Sequence, residues 1–308
     1  MFTVVMAARD TRATIGPAIR SVLAQTRGDW ELVVVDDGST DGTPDVVREF
    51  ADPRIQLLER AHGGAAAART AGIAAGGEPL ISLIDSDDLW MPTYLESMGA
   101  ALAADPGAAF AYTDAWYLDE GTRRIRRLSA MGRQRPPEPP PSTAAELFAV
   151  LCERNFIYNA VTLRRSAVDE AGPPDARLRS MIDWEWWLRL SARGHRAVRV
   201  PGRLGVYRLR AASLSRDPVQ VAAGQRDLWR LVADEYDLPE EVRAQLRSRA
   251  AGFDAEVAAL TGRRPAALAL WRARRRIVAA RTALRRSRDY YAEPPAEVRA
   301  AFGDLRRV

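Results

Sequence analysis

The stretch "LISLIDSDDLW" (80–90) passes from an apolar run straight into Asp85, Asp87 and Asp88, with no cation beside them in sequence. Carboxylates at that density repel, so they either cap and turn the chain or hold something positive. Aspartate is favoured at a helix N-cap, and Pro92 announces a helix shortly afterwards, which fits the first use. The second use also fits: magnesium and manganese take carboxylate oxygen together with substrate phosphate and need few protein ligands. A diphosphate that departs in a reaction collects negative charge, and such a cation offsets it. One D-x-D leaves both readings open.

Three further segments carry chemistry-bearing side chains. "VVVDDGSTDGT" (33–43) places Asp36 and Asp37 at the end of an apolar run. Gly38, Gly42 and the short polar residues would make a turn there. Asp37 could equally accept hydrogen bonds from a nucleobase edge or a ribose. "HGGAAAARTAG" (62–72) puts Gly63 and Gly64 ahead of a helix whose N–H groups could face an anion, with Arg69 about a turn in. It is neither G-x-G-x-x-G nor G-K-[ST], which argues against a dinucleotide dehydrogenase or a P-loop nucleotidase. "MIDWEWWLRL" (181–190) sets Asp183 before Trp184, Trp187 and Leu188 at helical spacing. Asp183 is then the helix N-cap, without the reciprocal Glu or Gln three residues on. Alternatively it takes a proton from an incoming hydroxyl, beside indoles whose flat faces pack against sugar rings. His62 and His195 stand alone, so histidine is not expected to ligate a metal.

The elements that must position these residues are legible from pattern. Runs at 3–8, 30–35, 54–58 and 80–84 are short and apolar throughout, fit for strands buried on both faces. Helices are expected between them: one presenting Ile15, Ile19 and Val22, one capped by Thr43 with Pro44 as its first residue, one over 65–75 closing at Gly76–Gly77, and one from Pro92 to about Pro106. Such alternation predicts a mostly parallel α/β sheet, and ligands of such sheets collect beyond the carboxyl ends of the strands. "RDTRAT", "DDGSTDGT" and "DSDD" all fall there, so one crevice could hold all three. Further on, 109–128 reads as a hairpin around Asp119–Gly121, 133–141 as a proline-rich loop, 143–153 as a helix, and 157–163 as a strand. The helix opening at "IDWEWWLRL" follows, then extended chain over 195–209 and arginine-rich helix from Pro218 onward.

The chain has 308 residues, 47% of them hydrophobic, enough for one large domain and an appendage. Cys152 is the single cysteine, which excludes a disulfide framework within the chain and fits a reducing compartment. No signal-peptide pattern and no long apolar span are evident. All 45 basic residues are arginine, giving a net charge of +5 and a guanidinium chemistry suited to phosphate.

Taken together, "SVLAQTRGDWELVVVDDGSTDGT", "AARTAGIAAGGEPLISLIDSDDLWMPTYLE" and "IDWEWWLRL" closely resemble the family 2 glycosyltransferases, inverting enzymes of the GT-A fold, over about residues 3–215. The resemblance implies a GT-A domain over 1–215, with a nucleotide-sugar half (1–107) and an acceptor half (108–215), followed by a helical extension (216–308). It implies that Ala7, Arg9, Asp36, Asp37, Arg69, Asp85, Ser86 and Asp87 surround a UDP-, dTDP- or GDP-sugar. Asp85 and Asp87 would form the D-x-D holding Mn²⁺ or Mg²⁺, Asp87 most directly. Asp183 would be the general base, with Trp184 and Trp187 on the acceptor side. The implied activity is transfer of a sugar to an acceptor hydroxyl on a glycan or lipid-linked molecule, in cell-surface polysaccharide or glycoconjugate synthesis. Four positions depart from the family's habit: Arg9 where a tyrosine is frequent, Thr70 in place of asparagine, Ile182 in place of glutamate, and Arg210 in place of histidine.

Competing functions remain at this stage. A nucleic-acid binder would use the arginines on phosphate, but acidic strand ends repel a polyanion; no nucleic-acid partner is expected. A catalytically inactive nucleotide-sugar or glycan binder of the same fold, or a nucleotidyltransferase using paired aspartates, are the alternatives. The basic segment 262–288 could dock on anionic lipid, but Leu268, Trp271 and Val278 share a face with Arg275, and packing on the domain or on a second subunit is favoured. The expected location is cytoplasmic, with peripheral contact at the inner membrane face as the minority view.

Overall fold

The computed structural model describes residues 1–120, 124–126, 129–134, 136–209, 217–262 and 291–292. The first hundred residues run β1 (Phe2–Ala8), α1 (Arg12–Leu23), β2 (Trp30–Asp36), α2 (Thr43–Arg48), β3 (Ile55–Glu59), α3 (Ala65–Ala75), β4 (Leu80–Asp85), β5 (Leu89–Trp90) and α4 (Tyr94–Ala104). β3, β2, β1 and β4 lie side by side in that order, all parallel. Their uniformly apolar sequences follow from burial on both faces. Phe2, Val4, Met6, Leu32 and Val34 join the core beneath α1 and α4, while Val5, Val33 and Val35 point to the opposite face, under α3.

The second half widens the sheet with β6 (Ala108–Asp119), β7 (Arg124–Arg126), α5 (Ala130–Gln134), α6 (Ala144–Glu153), β8 (Val161–Arg164), α7 (Arg165–Ala171), α8 (Ile182–Ala192) and β9 (Arg196–Leu209). β8 is antiparallel to both β4 and β6. β9 runs parallel to β6 and pairs with β5 just past the D-x-D. The 109–128 hairpin is realised by the antiparallel pairing of β6 with β7. β10 (Tyr291–Ala292) pairs with β7 in turn. α9 (Pro218–Glu235) and α10 (Glu240–Leu260) form a hairpin against α8, where Trp229 meets Trp184 edge to face at 5.1 Å. Arg249 of α10 lies over the Trp229 ring, 4.2 Å from its centre. The helical chain expected from Pro218 is present as two helices as far as Leu260 and packs against α8.

Several boundaries differ from the sequence expectation for identifiable reasons. α2 is capped by Gly42 rather than Thr43, because the Thr43 hydroxyl is drawn away: it accepts from the Thr11 N–H at 2.9 Å and donates to Asp41 at 2.5 Å. The strand expected over 157–163 begins only at Val161. Gln134, expected in the proline-rich loop, closes α5 instead. Met181, in the left-handed region at φ 59°, is the N-cap of α8, so Asp183 lies inside the first turn and is not the cap. Arg210, and all of the basic segment from 263 to 288, lie outside the described residues. Among the described residues no helix is long and apolar enough to cross a membrane.

Candidate active site

Register brings the acidic segments to one edge. Ala7 of β1 sits opposite Val35 on one side and Asp85 on the other, and Ala8 sits opposite Asp36. With neighbouring strands about 4.8 Å apart, the ends of β2 and β4 stand roughly 10 Å from each other across β1. Gly72 seats α3 tightly on this sheet, since a Cβ there would come within 2.5 Å of Val5 Cγ1. That close approach carries Arg69, on the same helix, to the end of β4.

The Asp36–Asp37 turn is a packed unit. Asp36 is 3% exposed and accepts from the Ser39 N–H at 3.0 Å. Asp37, equally buried, accepts from the N–H groups of Gly63 and Gly64 at 2.9 and 2.8 Å, and from His62 Nδ1 at 2.7 Å. Arg9, exposed at the end of β1, donates to Nε2 of the same histidine. Gly38, at φ 77°, is required here: a Cβ would lie 3.0 Å from the His62 backbone nitrogen. The Asp37 carboxylate thus holds the β2 turn to the loop ahead of α3 and presents little free surface.

The end of β4 is different. Asp85 is half-buried and its Oδ1 accepts from Arg69 at 2.7 Å and from Asn159 at 3.0 Å. Ser86 is buried and Asp87 half-buried. The Asp87 backbone carbonyl accepts from the Arg208 guanidinium, which also donates to the Thr14 carbonyl at 2.9 Å. Asp88 is buried, with its carboxylate on the Tyr158 hydroxyl and the Arg208 N–H. Burial, with the charges of Asp87 and Asp85 added, pushes Asp88 well above the ordinary carboxylate range. With both oxygens engaged by Tyr158 and Arg208, it clamps the turn after β4 in place. Asp85 and Asp87 are the carboxylates of this turn suited to a small hard cation. Among the described residues no three His, Cys, Asp or Glu side chains are grouped to hold a metal unaided. The donor set therefore fits Mg²⁺ or Mn²⁺ only with substrate phosphate completing the coordination.

Beyond Asp85 opens a cavity of about 670 Å³. Its walls include Ala65 and Arg69 of α3, Asp85, Tyr158 and Asn159, and Asp183 and Trp184 at the start of α8. Asp183 accepts from Asn155 at 3.2 Å. Burial raises its pKa, and the nearby Asp85 adds to this, while Arg69, the Trp184 N–H and Asn155 pull the other way. Burial likewise opposes the charge on Arg69, but Asp85, Asp183 and Asp87 outweigh it and hold the guanidinium above its usual pKa. A carboxylate with a raised pKa, lining a cavity beside a guanidinium, is equipped to take up a proton.

Of the residues singled out in sequence, Arg69, Asp85, Asp183 and Trp184 line this cavity; Ala7, Arg9, Asp36, Asp37, Ser86 and Asp87 lie at the same sheet edge without lining it. Trp187 requires a correction. It is fully buried and stacks on Phe110 and Trp186 at 5.4 and 5.5 Å, so it is core and meets no acceptor. Trp184 is 6% exposed, pinned by its indole N–H to the Leu151 carbonyl at 2.8 Å. Sequence reasoning passed over Asn155, Tyr158, Asn159 and Arg208. The only local signal was a polar pair, Asn155 and Asn159, interrupting the apolar "NFIYNAVTL".

Comparison with known proteins agrees with this geometry. The pattern of the family described as Glycosyl transferase family 2 matches residues 3–171. The succinoglycan biosynthesis protein ExoO of Rhizobium meliloti is 33% identical over 220 residues, covering 70% of this chain and 62% of that protein. The Escherichia coli UDP-Glc:alpha-D-GlcNAc-diphosphoundecaprenol beta-1,3-glucosyltransferase WfgD is 40% identical over 97 residues, 31% of this chain and 38% of the enzyme. The chain thus spans less than two thirds of these curated relatives. Among solved structures, the mannosyltransferase PcManGT of Pyrobaculum calidifontis, in complex with GDP-Man and Mn²⁺, superposes with a TM-score of 0.59 at 19% identity, covering 94% of this chain and 81% of that one. At that identity the likeness speaks for the fold, which is GT-A.

Proposed function

This chain belongs to glycosyl transferase family 2, and from that premise we propose that it transfers a sugar from a nucleoside-diphosphate sugar to an acceptor hydroxyl, with inversion, in the synthesis of a cell-surface polysaccharide or glycoconjugate. The observation that supports the reading is that Asp85 and Asp183 line one cavity, with the Arg69 guanidinium acting on both. Residues 1–107 supply the donor side and 108–215 the acceptor side, while α9 and α10 brace the helix that bears the base. Ala7, Arg9, Asp36 and Asp37 at the edge of the sheet are assigned to the nucleoside. Arg69, Asp85, Ser86 and Asp87 are assigned to the diphosphate and sugar.

Asp87 and Asp85 would hold Mg²⁺ or Mn²⁺, whose charge would offset that gathering on the departing diphosphate. Asp183 takes the proton of the acceptor hydroxyl, and the freed oxygen attacks the anomeric carbon from the face opposite the diphosphate. One such displacement inverts the configuration without a covalent sugar–protein intermediate. Arg69 holds Asp85 in place and keeps Asp183 ionised more readily than burial alone would allow.

WfgD is named for a UDP-sugar donor and a diphospho-linked lipid acceptor, and PcManGT was solved with GDP-Man. Arg154 just past α6, Arg179 in the loop before α8 and Arg249 of α10 line this cavity. Their charge suits an acceptor that carries phosphate. The direct test of the reading is Asp183→Asn. General bases contribute about 10²–10⁴-fold to rate, so transfer should fall by that factor or more while binding of the donor nucleotide stays intact. Normal turnover in that variant would remove Asp183 from the mechanism. Release of pyrophosphate instead of nucleoside diphosphate would replace the reading with nucleotidyl transfer.

A further inference from the structure

Between α6 and β8 the chain "NFIYN" (155–159) contacts three carboxylates, two of which, Asp85 and Asp183, line the cavity. Asn155 donates to Asp183 Oδ2 at 3.2 Å, Tyr158 donates to Asp88, and Asn159 donates to Asp85 Oδ1 at 3.0 Å. The two residues in the middle, Phe156 and Ile157, are 1% and 3% exposed and root the segment in the core, with Phe156 edge-on to Tyr112 at 5.8 Å. Polar ends reach the site and an apolar centre fixes their separation.

We propose that residues 155–159 are a positioning strap that sets the base against the D-x-D strand end, with Asn155 fixing which oxygen of Asp183 receives the acceptor proton. The inference rests on the reading of Asp183 as the general base. The orientation of Asn155 is determined by its own neighbourhood. Its Oδ1 accepts from the Ile157 N–H at 3.1 Å, so the amide nitrogen must face Asp183. One carboxylate oxygen is thereby engaged, the plane of the carboxylate is set, and the other oxygen takes the proton. The remaining charges that act on Asp183 are Arg69 of α3 and Asp85 of β4, and both are held by the same arrangement, since Asn159 and Arg69 donate to a single oxygen of Asp85. One short stretch thus indexes the base and the D-x-D strand end to each other.

Two variants at Asn155 test this. Asn155→Asp keeps the shape but replaces the donor by a second carboxyl, and like charges that share a site drive one apparent pKa up by about 1–3 units. The acid limb of kcat and the Asp183 carboxyl resonance, followed by ¹³C NMR, should both move up together. Asn155→Ala should lower kcat by about tenfold, the worth of roughly 1.4 kcal/mol of orientation, with donor KM unchanged. Both variants should keep the donor-nucleotide affinity of the wild type. The proposal is overturned if the Asp183 titration and kcat stay at wild-type values in both, or if kcat, donor affinity and Tm fall in parallel as a packing defect would have it. If wild-type protein transfers no sugar at all, it is the glycosyltransferase reading that fails, and the NMR titration still decides whether Asn155 controls Asp183.

Discussion

Replacing Arg69 with methionine leaves Asp85, Asp87 and Asp183 without the guanidinium that all three act upon. The Arg69–Asp85 contact is 2.7 Å, with the two side chains 13% and 31% exposed. Removing one member of a fully buried pair costs about 3–5 kcal/mol because the other charge is stranded. Asp85 keeps some access to water, which screens it, so we expect about 2–3 kcal/mol here. At about 2–4 °C per kcal/mol for a domain of this size, Tm should drop by roughly 5–10 °C. A divalent cation bound at Asp85 and Asp87 would return part of the missing positive charge. Scanning calorimetry with and without Mn²⁺ should therefore show the metal recovering more stability in Arg69→Met than it adds to the wild type. The reasoning is refuted if Tm is unchanged without metal, or if Mn²⁺ raises both proteins equally.

The pH dependence has a definite sign. Asp183 has a folded pKa above its unfolded one, chiefly through burial, so the native state binds this proton more tightly. Its contribution to stability is present below the unfolded pKa and is lost as pH rises through the folded value, whereas activity needs the unprotonated base and appears over that same interval. The acid limb of kcat should lie above the ordinary carboxylate pKa of about 4, and the difference in Tm between wild type and Asp183→Asn should change across it; a limb at the ordinary value contradicts the assignment. For the acceptor, a double Arg154→Gln, Arg179→Gln variant should raise KM for a phosphate-bearing acceptor by roughly five- to tenfold, about 1 kcal/mol. KM for a neutral glycoside of the same sugar should barely move, and an equal effect on both would dismiss the phosphate contact.

What was legible in the sequence was whatever depends on local pattern. Strands such as Leu32–Val35 announce themselves because every position is apolar, and a strand reads so only when both of its faces are covered. The carboxylates at strand ends could be placed at one edge because parallel topology leaves no other place for them. The turn of Asp36–Gly38 was equally local. Helical spacing, by contrast, treated Trp184 and Trp187 as equivalents, although α8 turns one toward the cavity and the other against Phe110. The N-cap alternative for Asp183 came from a statistical habit of aspartate, whereas Met181 supplies the left-handed residue that starts the helix. The strand expected from 157 failed since Tyr158 and Asn159 spend their polar groups on Asp88 and Asp85. Those partners lie 70 and 74 positions away in the chain, beyond the reach of any periodicity.

The account stands or falls on a divalent cation and nucleoside diphosphate lying between the D-x-D strand end and Asp183. Crystals grown with Mn²⁺ and either UDP or GDP, measured at the manganese absorption edge, test this most directly. The anomalous peak should fall in bonding distance of the Asp87 carboxylate and of the nucleotide phosphates, with the terminal phosphate directed into the cavity that Asp183 lines. A peak elsewhere, or a nucleotide whose phosphates point away from Asp183, would contradict it.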